Sequence, residues 1–369
     1  MRKPILALSL VALMAGGAAA QTEELREALK NSTPTRRLAA RELLHERYAN
    51  VPEAIAAHLD ERYPNYEVRG ARALLSLRQK YPGLPFAIAR HLLEDLGDEP
   101  AQAFLDVQEA VLARYPDFPA RMARLRQQHR PRLAVAEAVE TRHPGFRTAF
   151  LQLLGRNRAD SPRGLAWQTL REKHPGLALR LLGDLSELAD REQPGLVGEL
   201  MRARRRGERP LLWLAENHPG FLARAARELH ARHKTELRSA ALDVLKALES
   251  RPPGTSAEAV LGLIEQDYPE LPATVRTARR QARQSFRQAV LAEFPELPSV
   301  VARTLEEKHP RLLSRALESL ESHYPELRQD ALSALETELP GLKDDLQGFV
   351  KANYPNLVAD LTGALQGGR

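Results

Sequence analysis

The chain has no cysteine in its 369 residues. Disulfides and a lipid-bearing cysteine behind a signal sequence are both excluded. It also lacks any apolar run long enough to cross a bilayer. The longest begins at Ile5 and ends at Met14, and a spanning helix needs roughly 20 such residues. Nucleophile elbows, phosphate-binding glycine loops, calcium loops and zinc-protease helices are missing too, so no catalytic residue, metal ligand or cofactor is assigned. Charge of one sign is not abundant: 54 basic against 48 acidic residues give +6.

The apolar run near the start has the setting of a secretory signal peptide. Arg2 and Lys3 precede it, and Ala18, Ala19 and Ala20 follow as a small-residue cleavage site. Residues 1–20 are expected to be removed after Ala20, leaving Gln21 as the first residue of a bacterial periplasmic or secreted protein. Removal takes away Arg2 and Lys3, so 54 − 2 = 52 bases face 48 acids, a net +4. With 28% charged and 43% hydrophobic residues the remainder has the composition of a folded chain.

Proline is what the sequence has in regular supply. Pro295, Pro310, Pro325, Pro340 and Pro355 stand fifteen apart. Counted from each proline, positions three, seven, eleven and fifteen are mostly apolar: Leu312, Ala316, Leu320 and Tyr324, then Leu327, Ala331, Leu335 and Leu339. A step of four residues makes one helical face. Proline suits a first helical turn, because its missing N–H has no partner there, and it pushes the preceding residue out of the helical region. Each proline is therefore expected to end one helix and open the next. Acids just after it (Glu270, Glu296, Glu326) and bases two places before it (Arg62, Lys80, Arg114, Arg142, Lys173, Lys308) suit the two helix ends.

Looser copies at Pro34, Pro52, Pro64, Pro82, Pro100, Pro116, Pro131, Pro144, Pro162, Pro175, Pro194, Pro210, Pro219, Pro253 and Pro269 carry the pattern back to the mature start. Thr235 aligns with Pro325 and is expected to cap a helix where proline is missing. The gap from Pro269 to Pro295 is expected to hold one longer helix. These readings predict an all-α fold, an α-solenoid or curved array of about twenty short helices. They place a single repeat domain at 21–369, regular over 295–369 and looser over 34–294. Neighbouring helices are expected to stack with alternating direction. The run Pro325-Glu326-Leu327-Arg328, followed by Ala-Leu and Ala-Leu, resembles one helix of the HEAT-like repeats. The resemblance implies the stacked-helix fold class, with proline here at every helix instead of every pair.

His143, His174, His218 and His309 precede proline, but other units put Tyr63, Tyr81, Tyr115, Tyr268, Phe294, Tyr324, Leu339 and Tyr354 in that slot. Leucine cannot replace a metal ligand, so the slot reads as packing at a helix junction. His230 and His233 lack a third ligand and read as surface residues. The Pro-x-x-Pro pairs (82/85, 116/119, 269/272, 295/298) precede helical patterns, which puts the second proline in a first helical turn.

Two basic clusters stand out as possible anion-binding sites: Arg202, Arg204, Arg205, Arg206 and Arg209, and Arg276, Arg279, Arg280, Arg283 and Arg287. Glu318, Glu321, Glu326, Asp330, Glu336 and Glu338 make the C-terminal third acidic by contrast. Only Phe286, between Arg283 and Arg287, interleaves with the arginines, which argues against stacking on single-stranded nucleic acid. The expected function is that of a non-catalytic exported interaction scaffold whose partner is a protein. The alternative is a binder of an anionic polymer or membrane surface through the arginines, and the third reading is an enzyme assembled from distant residues.

Overall fold

The computed structural model describes residues 19–155, 162–208, 210–218, 220–250 and 256–367. Across the described residues the chain runs through helices from Ala19–Asn31 to Leu357–Gln366, with no strand among them. Most are eight to sixteen residues long, and two exceed this, Phe221–Glu249 and Leu271–Glu293. The all-α array of short helices is thus present, and the proline gap before Pro295 is filled by one long helix.

A four-residue corner separates most helices. Tyr324 N–H closes the preceding helix on the Leu320 carbonyl (2.9 Å), and the Tyr324 carbonyl accepts from Leu327 N–H (3.2 Å). Proline occupies the second position of this β-turn, where its fixed φ fits. The third residue decides the turn type. Glu326 (φ −90°, ψ −10°) gives type I; Gly83 (φ 70°, ψ 7°) and Gly341 (φ 75°, ψ 1°) give type II, which requires positive φ. Asn65 (φ 60°) fills the same place without being glycine.

Helices after such corners begin two residues past the proline, at Leu327 for Pro325. The expectation that each proline opens its helix holds for Pro34, Pro131, Pro162 and Pro210. Pro52 and Pro100 stand second in Val51–Arg62 and Glu99–Arg114, and at the four-residue corners proline is part of the corner itself. Second prolines of the Pro-x-x-Pro pairs, such as Pro85, Pro119 and Pro272, do lie in first helical turns. Beside Thr235, Phe221–Glu249 is two helical stretches joined across a kink at His233 (φ −115°, ψ 19°), so the boundary expected at this proline-free copy is there without a full corner. Without proline nothing removes the backbone donor or forces the preceding residue out of the helix, so the chain bends instead of breaking.

The described helices form two compact units, one from residues up to Tyr81 together with Leu305 onward, the other from Pro82 to Thr304. Packing differs from neighbour stacking in both. Within the first, Leu327–Glu338 packs on Tyr66–Lys80, and Leu357–Gln366 on Pro34–Glu46. Its core joins Tyr48, Val51, Ile55, Leu59 and Tyr63 to Leu339, Leu346, Val350, Leu357, Leu361 and Leu365. Within the second, Leu271–Glu293 packs on Pro131–Arg142, and Phe221–Glu249 on Pro162–Lys173. Each unit is a pair of helical strands running in opposite directions. The reversal in the second unit is a Schellman motif, with Glu208 N–H on the Ala203 carbonyl (3.1 Å), Gly207 N–H on the Arg204 carbonyl (3.0 Å) and Gly207 at φ 80°. Beside it Leu188, Ala189, Leu196, Leu214, Phe221 and Ala225 form a separate core cluster.

Candidate functional site

The residues before proline meet across the two strands. Tyr81 and Tyr324 pair edge to face (6.2 Å between ring centres), as do Tyr115 and Phe294 (5.2 Å) and His143 and Tyr268 (6.2 Å); Tyr48, which does not precede a proline, meets Tyr354 in the same way (6.4 Å). Polar atoms beside each pair are satisfied by the opposite strand. Tyr48 Oη donates to Asp360 (2.6 Å) and His58 Nε2 bonds Asp345 (2.7 Å). Asp330 accepts from Tyr81 and from Lys80 (2.6 Å). Lys80 first and Tyr81 second hold the Asp330 carboxyl below its ordinary range, because both bond its charged form. In the second unit His143 Nε2 bonds Thr274 (2.9 Å), and His174 Nε2 bonds Asp243 (3.0 Å) beside Lys173. The histidine slot is a packed junction, with His143 and His309 buried. Among the described residues no group of three acids or histidines is arranged to hold a metal ion.

Sequence reasoning missed these cross-strand acids, though a signal was there. Asp330, Asp345 and Asp360 stand fifteen apart, each at the sixth place of its unit. The bases two places before proline answer such acids: Arg62 pairs with Asp345 (2.8 Å), Lys80 with Asp330 and Arg114 with Glu296 (2.6 Å). Much of the acidic C-terminal stretch is accounted for in this way, since Glu321 pairs with Arg26 and Lys30.

The arginine clusters occupy different helices of the second unit. Arg202, Arg204 and Arg205 are exposed at the end of Leu196–Arg205; Arg206 caps that helix and pairs with Glu208 (2.7 Å). Arg209 lies outside the described residues. The other five share Leu271–Glu293. At about 100° per residue, Arg276, Arg280, Arg283 and Arg287 fall on one line, opposite the buried Leu271, Thr274 and Ala278. Arg279, Arg280 and Arg283 are exposed, while Arg276 and Arg287 are half-buried. A third basic feature escaped the sequence reading. An open cleft of about 600 Å³ is lined by Arg126, Gln127, Arg130 and Leu212. Arg130 is held at φ 33° between a helix end and Pro131.

The surface also carries large apolar side chains, and most belong to one stretch. Leu133, Leu151, Trp167, Leu179, Leu182, Val197 and Met201 are exposed on successive helices between Pro131 and Arg205. Trp167 is 63% exposed and Leu179 75%. No helix among the described residues is long and apolar enough to cross a membrane. The chain matches no protein-family model, no curated protein and no solved structure.

Proposed function

We propose that the chain is an exported, non-catalytic interaction scaffold, released from residues 1–20 and binding protein through the helices between Pro131 and Arg205. The supporting observation is the run of exposed Trp167, Leu179 and Leu182. Isolated apolar residues on a surface need no explanation, but several on successive helices mark a contact surface. Tryptophan in particular anchors interfaces. Affinity-tagged protein retrieved from its native envelope should carry a partner, and its mass should begin at Gln21. Trp167→Glu with Leu182→Glu should lose the partner while keeping helix content. Equal retrieval by parent and variant would overturn this surface.

A second reading rests on the arginine line along Leu271–Glu293, which faces away from that helix's core. Heparin or duplex DNA should then bind with an affinity that falls steeply with salt, each neutralised phosphate of a duplex adding about −0.9 to the log–log slope. Changing Arg279, Arg280 and Arg283 to glutamine should flatten the slope. No binding at low ionic strength removes the reading.

A further inference from the structure

The two strands of the second unit touch along two registers. In the first, Arg114 meets Glu296, Arg121 meets Glu293, His143 meets Thr274 and His174 meets Asp243. The numbers of each pair add to between 410 and 417. In the second, Asp98 meets Lys234, Asp106 meets Arg227, Arg90 meets Glu249 and Arg124 meets Glu216. These add to between 332 and 340, about five fifteen-residue repeats fewer. A helix of the first strand is therefore flanked by two different stretches of the second. Past Arg124 the second register asks for partners numbered below about 208. Those residues belong to the same strand, which is already committed through the first register, so it cannot fold back on itself to supply them.

Seven of the ten exposed large apolar side chains among the described residues fall on that half-partnered stretch, between Pro131 and Arg205; Leu74, Phe104 and Leu313 lie outside it. The first unit behaves otherwise. There the corresponding outer contacts, Thr35 with Glu306 and Arg26 with Glu321, add to 341 and 347, above the range of the second register. The helices beyond them, Leu327–Glu338, Leu342–Asn353 and Leu357–Gln366, expose no large apolar side chain among the described residues. One stretch is finished with polar groups, as a terminal repeat must be to stay soluble. The other is left apolar.

We propose that a second copy of this chain covers the helices from Pro131 to Gly155 and from Pro162 to Arg205, its own copies of these helices lying antiparallel against them in the second register. This rests on the interaction reading above and names its partner. The register rule is unchanged when its two residues are exchanged, so one stretch in two copies satisfies it with two-fold symmetry. At a sum of 333–334, within the range seen inside the chain, Leu133 faces Met201, Leu151 faces Leu182, and Trp167 faces its own counterpart on the axis. Charge does not set this register: Arg147 falls opposite Glu187 and Arg142 opposite Glu192, acids that also pair with Arg232 and Arg224 of their own chain, while Arg132 with Arg202 and Arg163 with Arg171 are like-charged matches. The apolar matches carry the pairing.

The absence of cysteine makes the register directly measurable in the full mature chain. Sedimentation equilibrium should show a dimer, and Trp167→Glu with Leu182→Glu should give a monomer of unchanged helix content. Gln168→Cys, next to the axis, should cross-link to its own copy with a short bismaleimide. Leu133→Cys should not, but a mixture of Leu133→Cys and Met201→Cys chains should join as heterodimers. A chain monomeric at every concentration overturns the proposal, as does a dimer in which Leu133→Cys cross-links to itself and Gln168→Cys does not. If the chain is monomeric yet Trp167→Glu loses a captured envelope protein, self-pairing fails while the interaction reading stands.

Discussion

Glu67 stands in the first turn of Tyr66–Lys80, where the helix N-terminus favours a negative charge. Burial, and after it the neighbouring charge of Asp60, outweighs that field and pushes the carboxyl up to about 7 from an ordinary 4.5. Between those two values the folded chain holds more protons than the unfolded one, so this group's contribution to stability falls as pH rises from about 4.5 to about 7. Glu67→Gln removes the falling part. The variant should melt with the parent near pH 4.5 and above it at pH 8. The gain is about 1 kcal/mol once the shift is discounted for the part of the side chain that stays in water. Melts at the two pH values check it; a displacement of equal size at both would show that Glu67 does not titrate in this range.

At the scale of the element, the corner is the device that recurs, and its glycines are not equivalent. A Cβ at Gly83 would stand 2.4 Å from the Glu249 carbonyl oxygen, whereas at Gly195 it would meet open space. Both glycines have positive φ, so alanine at Gly195 should cost about 1–2 kcal/mol of backbone strain. Gly83→Ala should cost clearly more, because it also drives apart the helices whose contact includes Arg90 on Glu249 (2.7 Å). Denaturant midpoints of the two variants measure the difference, and equal losses would deny the close approach. Helix boundaries were legible in the sequence because proline acts on its own neighbours, though not that a four-residue corner would stand between the helices. The long helix after Pro269 and the placement of the second prolines were legible for the same reason. The place of the break at His233 was legible too, from the alignment of Thr235 with Pro325, but not that the chain would bend there instead of turning a corner, which without proline is left to the packing around it. Nor were the acid–tyrosine bonds legible, although Asp330, Asp345 and Asp360 kept their spacing. A period along the chain shows which residues are equivalent, and not which residues on a distant strand they face.

For each unit as a whole, pairing of distant strands changes what a deletion should do. Neighbour stacking with alternating direction makes removal of two repeats, 310–339, gentler than removal of one, 310–324. The cross-strand contacts reverse the order. Loss of 310–324 takes away Glu321 from Arg26 and Lys30; loss of 310–339 also takes Asp330 from Lys80 and Tyr81. Thermal melts of the two deletions should rank the shorter one as more stable. The opposite ranking would restore local stacking as the source of stability.

The Schellman reversal at Gly207 sets an order of events in time. Arg224 and Glu192 are separated by only 32 residues and His233 and Asp184 by 49, whereas His143 and Thr274 are separated by 131 and Arg114 and Glu296 by 182. Closing a long loop directly carries a loop-entropy penalty that grows with its length, but each contact made next to the reversal shortens the free loop left for the next. The second unit should therefore assemble as a zipper that starts beside Gly207 and moves outward. During synthesis from the N-terminus, residues 82–206 must emerge before any of their opposite strand exists. For that interval the faces of Tyr115 and His143 are bare, and they stay so until the second half of the unit arrives.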